Sequence, residues 1–211
     1  MFYITLSIVS VVELCEHFVY IPNMLSLKEQ KIMACTKNLN IIKHKNRMRM
    51  YDKIEKYPFI HKQVCDRYMK KAQEFDITLP KCIPTHCLTN YYEEHMTLKW
   101  HRDIYENDGD EDFSIVNLSI GAPCIFGYEV NDRRQYIKLN SGDAVIFGGK
   151  SRFIPHCVHK VLIDESPSWL SSSYRISYTF RDSSSVLGEE ERFKFFDVNT
   201  PQFDESQKKW K

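Results

Sequence analysis

Apolar positions recur with a helical period in the first part of this chain. Ser26-Leu27-Lys28-Glu29 forms a capping box, so we predict a helix that begins there and runs to about Asn38. A second helix is predicted over about 58–75, with Pro58 in its first turn. Its apolar stripe, which is typical of core packing, consists of Ile60, Val64, Tyr68, Ala72 and Phe75.

The pattern changes after residue 80. Short β-branched and aromatic runs follow one another and are separated by Gly, Pro, Asn and Asp, which is typical of a β-sandwich or barrel. The chain is therefore predicted to be α+β, with an N-terminal helical layer followed by a β core. The predicted strands span 86–92, 97–103, 114–120, 124–129, 135–139, 143–148, 156–163 and 174–181.

Composition favours one globular domain. The 211 residues carry a net charge of +1, and 43% of them are hydrophobic. Seven cysteines without a CxxC pair argue against a zinc ribbon or a secreted disulfide scaffold. No apolar stretch is long enough for a membrane span, so we expect a cytoplasmic or nuclear protein that does not act at membranes.

Positive charge is concentrated in one region. Between Lys28 and Lys71 there are 13 Lys and Arg against 4 Asp and Glu, with the highest density over residues 43–49. Such a region suggests a surface for a polyanion, although a solvated helical layer would show the same composition. If residues 43–49 are extended, Lys43, Lys45, Arg47 and Arg49 fall on one side of the chain.

A possible metal site follows from His101-Arg102-Asp103 at the end of a predicted strand. Residues two apart on a strand share a face, so His101 and Asp103 can offer one nitrogen and one oxygen. The third ligand would be His156 or His159. Two His and one carboxylate form the facial triad of non-haem iron(II) oxygenases. The alternative is a surface His beside a capping Asp.

Strict alternation marks the segment Arg175–Arg181. Arg175, Ser177, Thr179 and Arg181 share one face, and the apolar residues share the other. Arginine is suited to bidentate capture of carboxylates. An exposed edge strand with solubilising charges is the alternative.

Six elements together resemble the AlkB family of iron(II)- and 2-oxoglutarate-dependent dioxygenases. Their order and spacing agree with the family over about residues 82–182. The elements are Asn90-Tyr91-Tyr92, His101-x-Asp103, Ser119-Ile120-Gly121, Ser141-Gly142-Asp143, the run from Gly148 to His156, and Arg175 to Arg181.

This resemblance implies a double-stranded β-helix (jelly-roll) core and a nucleotide-recognition lid. It divides the chain into a single dioxygenase domain over 1–182 (helical layer and lid 1–80, jelly-roll core 81–182) and a C-terminal extension over 183–211. It implies that His101, Asp103 and His156 bind Fe(II), and it selects His156 over His159. The implied 2-oxoglutarate residues are Asn90, Tyr92, Arg175, Arg181 and Ser177.

The resemblance also implies a reaction. Fe(II), 2-oxoglutarate and O2 would oxidatively demethylate N-methylated bases in DNA or RNA, with release of succinate, CO2 and formaldehyde. A dioxygenase acting on protein or lipid and a non-catalytic jelly-roll binding module are the alternatives. We expect a monomer.

The implied substrate contacts are Arg47, Arg49, Tyr51 and Tyr105, and Tyr57 is a second candidate for a lid aromatic. Trp100 lies on the strand face opposite His101 and is expected to pack in the core. Two positions depart from the family pattern. Ser177 replaces an Asn that the family often carries, and it can still donate a hydrogen bond over a shorter reach. Tyr105 replaces an acidic residue of the bacterial repair enzymes near the substrate base.

Overall fold

The computed structural model describes residues 10–35, 41–44, 47–103, 112–182, 203–204 and 209–210. For residues 42–44, 47–49 and 51 and for the last two segments it describes the backbone alone. The helices are α1 (Leu27–Ala34) and α2 (Ile60–Phe75). The strands are β1 (Val12–Cys15), β2 (Phe18–Ile21), β3 (Ile42–His44), β4 (Arg47–Lys53), β5 (His86–Tyr92), β6 (Leu98–His101), β7 (Ser114–Gly121), β8 (Cys124–Val130), β9 (Arg133–Leu139), β10 (Ala144–Gly148), β11 (His156–Val161), β12 (Arg175–Arg181), β13 (Phe203–Asp204) and β14 (Lys209–Trp210).

Two antiparallel sheets form the core. The larger sheet has the order β1-β2-β10-β7-β12-β5-β4-β3, and the smaller has the order β6-β11-β8-β9. Phe126 and Val158 of the smaller sheet share one buried apolar cluster with Ile115 and Phe147 of the larger sheet. The sheets therefore pack face to face, which confirms the predicted α+β jelly-roll.

All eight strands predicted after residue 80 are present, and their ends differ from the prediction by at most two residues. The prediction succeeds because each run is apolar on at least one side and is bounded by a turn residue. Gly121 illustrates such a boundary: it has a positive φ of 90° where the chain leaves β7 for β8, and a Cβ there would lie 2.4 Å from the carbonyl oxygen of Tyr174.

The two helices cover the outer face of the larger sheet. Val64, Tyr68 and Ala72 of α2 are fully buried, as the stripe predicted, whereas Phe75 at the end of the helix is half exposed. The capping box of α1 is present, with Glu29 N–H donating to Ser26 Oγ. Helix α1 ends at Ala34, earlier than predicted, and residues 36–40 lie outside the described part of the chain.

Residues 1–80 contain strands as well as the two predicted helices. Strands β1 and β2 form a hairpin whose second strand pairs with β10, and β3 and β4 form another whose second strand pairs with β5. Four strands of the larger sheet thus come from this region. Strand β4 is hard to recognise from the sequence because charged residues alternate with its methionines, as is usual for strands near a sheet edge.

The C-terminal region is described only in part. The backbones of β13 and β14 pair as a small antiparallel ladder, while the remainder of the predicted extension over 183–211 lies outside the described residues. All seven cysteines are described and are free thiols. In the described part of the chain, no helix is both long and apolar enough to span a bilayer.

Candidate active site

Three buried side chains converge where β6 and β11 pair. His101 ends β6, Asp103 follows two residues later, and His156 begins β11 directly opposite His101. Their potential ligand atoms all lie within 4.8 Å of one another. Each histidine Nε2 is 3.8 Å from a different oxygen of Asp103. The structure therefore brings together the three residues expected to hold a metal.

Hydrogen bonds to main-chain carbonyls orient both imidazoles. The Nδ1 of His101 lies 2.9 Å from the carbonyl oxygen of Lys99, and the Nδ1 of His156 lies 2.9 Å from that of Ile154. A carbonyl can only accept, so each Nδ1 carries a proton and Nε2 is the ring nitrogen left to face the cluster. This is the arrangement that metal-binding histidines need.

His159 lies elsewhere. It is exposed, and its ring packs 5.2 Å from that of Tyr136, a residue of β9. Strand alternation places His159 on the face of β11 opposite that of His156 and the buried Val158. The choice of His156 over His159 is therefore the one that agrees with the geometry.

Positive charge surrounds the Asp103 carboxylate. Burial alone would raise the pKa of Asp103, but Arg181 together with the nearby histidines and Arg152 holds this pKa below its usual range. Arg181 donates from Nη2 to Asp103 Oδ2 at 3.2 Å. Arg152 is fully buried, with its guanidinium 4.0 Å from the ring centroid of Phe113. The carboxylate is thus kept ionised, as a metal ligand must be.

Arg175 is a buried cation for which the described residues provide no counterion. It is fully buried, its Nη2 donates to Ser119 Oγ at 3.0 Å, and its guanidinium lies 5.1 Å from the ring centroid of Tyr92. Among the described residues, no carboxylate forms an ion pair with it, and its Nε and Nη1 have no acceptor. A buried charge of this kind is costly until an anion arrives. The position therefore fits one carboxylate of a dicarboxylate such as 2-oxoglutarate.

The expected 2-oxoglutarate residues share one face of the larger sheet. In the register of β12 and β5, Arg175 lies opposite Tyr92 and Ser177 lies opposite Asn90. Directly opposed residues on paired strands point to the same side. Because Arg181 on this face reaches Asp103, the face looks toward the metal cluster.

Ser177 is placed as expected but is already engaged. Its hydroxyl lies 2.8 Å from Asn117 Oδ1 on β7 and donates to it. Asn117 and Ser119 had no expected role from the sequence. Both could have been identified as residues of one sheet face, because they are the two polar positions that alternate through the apolar run from Ile115 to Ile120.

The expected substrate residues are described only by backbone position. In the register of β4 and β5, Arg49 lies opposite Asn90 and Tyr51 lies opposite Leu88, with Arg47 two residues before Arg49. Their side chains, and the whole of Tyr105, lie outside the described structure.

The prediction of four cations on one side of an extended segment is wrong for Lys43. The chain reverses between β3 and β4, so that Lys43 pairs with Met48 while His44 pairs with Arg47. Alternation then places Lys43 on the face opposite that of Arg47 and Arg49. Lys45 lies outside the described residues.

Tyr57 is not positioned as a lid aromatic. It is buried on the helical side of the larger sheet, where its hydroxyl donates to the Cys87 carbonyl at 2.9 Å and its ring packs on His61. Trp100 is buried as expected, with the Arg134 guanidinium 4.5 Å from its ring centroid.

Comparisons with known proteins agree with this geometry. The family model described as the 2OG-Fe(II) oxygenase superfamily matches residues 17–181. The DNA N(6)-methyladenine demethylase ALKBH1D of Arabidopsis thaliana is 37% identical over 120 residues, which are 52% of this chain and 27% of that protein. The alpha-ketoglutarate-dependent dioxygenase AlkB of Salmonella typhimurium is 32% identical over 103 residues, 47% of this chain and 46% of that protein.

This chain therefore spans less than half the length of either curated relative. Among solved structures, that of OsALKBH1 aligns with a TM-score of 0.70 at 23% identity, covering 81% of this chain and 100% of that chain. That similarity establishes a common fold.

Proposed function

This chain belongs to the 2OG-Fe(II) oxygenase superfamily, and from that premise we propose that it oxidatively demethylates N-alkylated bases in DNA or RNA. The superfamily uses Fe(II), 2-oxoglutarate and O2. The proposal assigns His101, Asp103 and His156 to the metal. It assigns the cosubstrate to Asn90, Tyr92, Arg175 and Arg181.

One observation carries the proposal. The proposed cavity is lined by the three buried donors His101, Asp103 and His156 and by the buried Arg175, and Arg181 donates to Asp103. Among the described residues, Arg175 has no ion-pair partner. A metal alone would leave Arg175 uncompensated, and an anion alone would leave three ligand atoms within 4.8 Å of one another unused. A dicarboxylate that chelates a metal would neutralise Arg175 and would also account for the three ligand atoms.

Each side chain has a specific task in the reaction. When bound, iron with 2-oxoglutarate and O2 oxidises a C–H bond of an N-methyl group, and carbon leaves as formaldehyde while 2-oxoglutarate becomes succinate and CO2. Arg175 neutralises the far carboxylate and so fixes the direction in which the cosubstrate lies. His101, Asp103 and His156 would hold the metal with two imidazoles and one carboxylate, the donor set that non-haem iron(II) oxygenases use. The two sheets exclude water from the remainder of the cavity.

Nucleic acid is the favoured substrate because of the position of β4. This strand belongs to the basic region and pairs directly with β5, which carries Asn90 and Tyr92. The register supports this proposal, because Arg49 pairs with Asn90 and Tyr51 pairs with Leu88, two residues before Asn90. Cations on this strand would hold the phosphates, and an aromatic residue would contact an extruded base. The curated relatives described above are named as a DNA demethylase and as AlkB.

Product analysis tests this proposal. The protein is supplied with Fe(II), 2-oxoglutarate and O2, and formaldehyde and succinate are measured with single-stranded DNA and RNA containing 1-methyladenine, 3-methylcytosine or N6-methyladenine. We expect equal molar release of both products with at least one methylated oligonucleotide. Unmethylated oligonucleotides of the same sequence should release no formaldehyde. The Asp103→Ala variant should release neither product above background.

Two results would overturn the proposal. Formaldehyde release from methylated peptides but not from oligonucleotides would make the protein a dioxygenase of protein substrates. Absence of 2-oxoglutarate binding to the metal-loaded protein would indicate a non-catalytic binding module.

We also propose that the protein works as a monomer in a reducing compartment, the cytoplasm or the nucleus. Seven free cysteines, five of them buried, support the reducing compartment. Sedimentation analysis and localisation of a tagged protein would test it.

A further inference from the structure

A polar group of the larger sheet lies between the two cavity arginines, and only its Ser177 has been assigned a role above. It consists of Ser177 and Thr179 on β12 and Asn117 on the neighbouring strand β7. All three are buried, and Thr179 lies directly opposite Asn117 in the register. They therefore occupy the cavity face, with Arg175 at one end and Arg181 at the other.

The amide of Asn117 has a fixed direction. Ser177 Oγ donates to Asn117 Oδ1 at 2.8 Å, and Asn117 Nδ2 lies 3.4 Å from Thr179 Oγ1, the limit of a hydrogen bond. Thr179 is nearer than Ser177 to Arg181 along β12. The oxygen of the amide thus faces the Arg175 end, and its nitrogen faces the Arg181 end.

This nitrogen has unused donor capacity. An amide nitrogen carries two N–H donors, and within the described residues the Nδ2 of Asn117 makes only the one long hydrogen bond. A buried donor is costly unless it meets an acceptor. A carboxylate in the cavity would supply acceptors and nothing else, so it matches the donor that is left.

We propose that Asn117 is a cosubstrate-binding residue, whose Nδ2 donates to the carboxylate that 2-oxoglutarate places at the Arg181 end of the cavity. Ser177 is its positioning residue, because the hydroxyl holds the amide oxygen away from that carboxylate. The inference rests on the proposed function, since it requires 2-oxoglutarate in this cavity. It also accounts for Ser177 at a position where the family often has Asn: the amide is supplied here from the adjacent strand.

Binding of 2-oxoglutarate without turnover tests the assignment. Mn(II) replaces Fe(II), O2 and nucleic acid are omitted, and the dissociation constants of Mn(II) and then of 2-oxoglutarate are measured by calorimetry. Asn117→Leu preserves the approximate volume and removes the donor. We expect about tenfold weaker 2-oxoglutarate binding and unchanged Mn(II) binding, as for one lost hydrogen bond to a charged group.

Exchange of the two side chains provides the decisive control. Asn117→Ser alone should weaken 2-oxoglutarate binding, and Asn117→Ser combined with Ser177→Asn should restore most of the affinity because the amide returns from β12. A purely structural amide predicts no such rescue. If the Asn117→Leu variant does not fold, the Asn117→Ser variant and the double variant are sufficient for the test.

The outcomes separate the two proposals. Wild-type affinity for 2-oxoglutarate in the Asn117→Leu or Asn117→Ser variant would overturn the role of Asn117. A wild-type protein that binds 2-oxoglutarate but releases no formaldehyde from methylated nucleic acid would overturn the proposed function and leave this role standing.

Discussion

At the scale of single residues, two main-chain carbonyls decide which nitrogen each histidine offers to the metal. Lys99 and Ile154 supply these carbonyls, and each lies two residues before the histidine that it orients. The strand geometry therefore sets the tautomer of both imidazoles, and the side chains need no further partner to present Nε2.

The distinction between His156 and His159 gives a prediction at this scale. His156→Ala should lower the affinity for Mn(II) or Fe(II) by at least about tenfold, because one of three protein ligands is lost. His159→Ala should leave it unchanged, because that ring packs against Tyr136 outside the cluster. Metal titration by calorimetry measures both. Metal loss in the His159 variant with retention in the His156 variant would contradict the ligand set.

Arg175 gives a second prediction at the residue scale. Arg175→Met should weaken 2-oxoglutarate binding by about 10- to 100-fold, since charge-assisted hydrogen bonds to a carboxylate are lost. The protein without cosubstrate should be no less stable, because a buried cation without a counterion is removed. Thermal unfolding with and without 2-oxoglutarate measures both effects.

Arg134→Met is the matched control for that substitution. Arg134 also lies over an aromatic ring, that of Trp100, but it forms an ion pair with Glu129 outside the cavity. Its replacement should leave 2-oxoglutarate binding unaltered. Equal weakening in the two variants would mean that Arg175 acts through general stability.

At the scale of elements, the N-terminus of α1 is connected to α2 by one carboxylate. Glu29 accepts from the backbone N–H of Ser26 at 2.8 Å and forms an ion pair with Arg67 of α2. The hydrogen bond from Arg67 is the main reason that the pKa of Glu29 falls from 4.5 to about 2, and the bonds from Ser26 act in the same direction against burial. The capping box thus also joins the two helices.

The sign of this shift predicts a pH dependence. A carboxyl group with a lowered pKa in the folded state stabilises the fold above its unfolded pKa, near 4.5, and this stabilisation is lost as the pH falls toward 2. Glu29→Gln should therefore lower the free energy of unfolding by about 1 kcal/mol at pH 7. The difference from wild type should disappear near pH 2.

Urea unfolding at several pH values would measure this difference. Glu74→Gln is the control, because Glu74 forms only an exposed ion pair with Lys71 on one helix. A constant difference between the Glu29 variant and wild type from pH 7 to pH 3 would show that its charge is not what stabilises the helix pair.

At the scale of the whole molecule, the larger sheet joins the basic region to the catalytic cavity. Strand β12 carries the arginines, β5 pairs with it, and β4 pairs with β5. A phosphate backbone held along β4 would therefore lie two strands away from the cosubstrate arginines, about 10 Å at the usual spacing between strands.

The two faces of the β3–β4 hairpin allow a matched test of nucleic-acid binding. Arg49→Ala should weaken binding of a methylated oligonucleotide and reduce the slope of log affinity against log salt by about 0.7 to 0.9. Lys43→Ala removes the same charge, but its register partner is Met48, on the other face, so it should have little effect. Fluorescence anisotropy over a series of salt concentrations measures both.

Binding of 2-oxoglutarate should be unaffected in either hairpin variant. Equal losses of oligonucleotide affinity in the two variants would indicate a diffuse electrostatic attraction rather than phosphate contacts on one face of the hairpin. Salt-insensitive binding of the oligonucleotide would remove phosphate recognition from this hairpin altogether.

The sequence by itself determined the local elements of this protein and the chemical types in its cavity. Runs bounded by turn residues gave the eight strands after residue 80, and the four-residue period gave α2. Strand spacing indicated His101 and Asp103 as ligands with His156 or His159 as the third, and the family resemblance selected His156 and implied the roles of Arg175 and Arg181. These features are readable because strand and helix periods are local properties of the chain.

Only the tertiary structure decided which strands are neighbours. The placement of β4 beside β5, the reversal that moves Lys43 to the other face, and the bond between Ser177 and Asn117 all depend on pairing between segments distant in sequence. The same holds for Arg175, because only the packed sheet shows that no described residue forms an ion pair with it. Register is fixed by the burial of one sheet face across many strands, and that is a property of the assembled core.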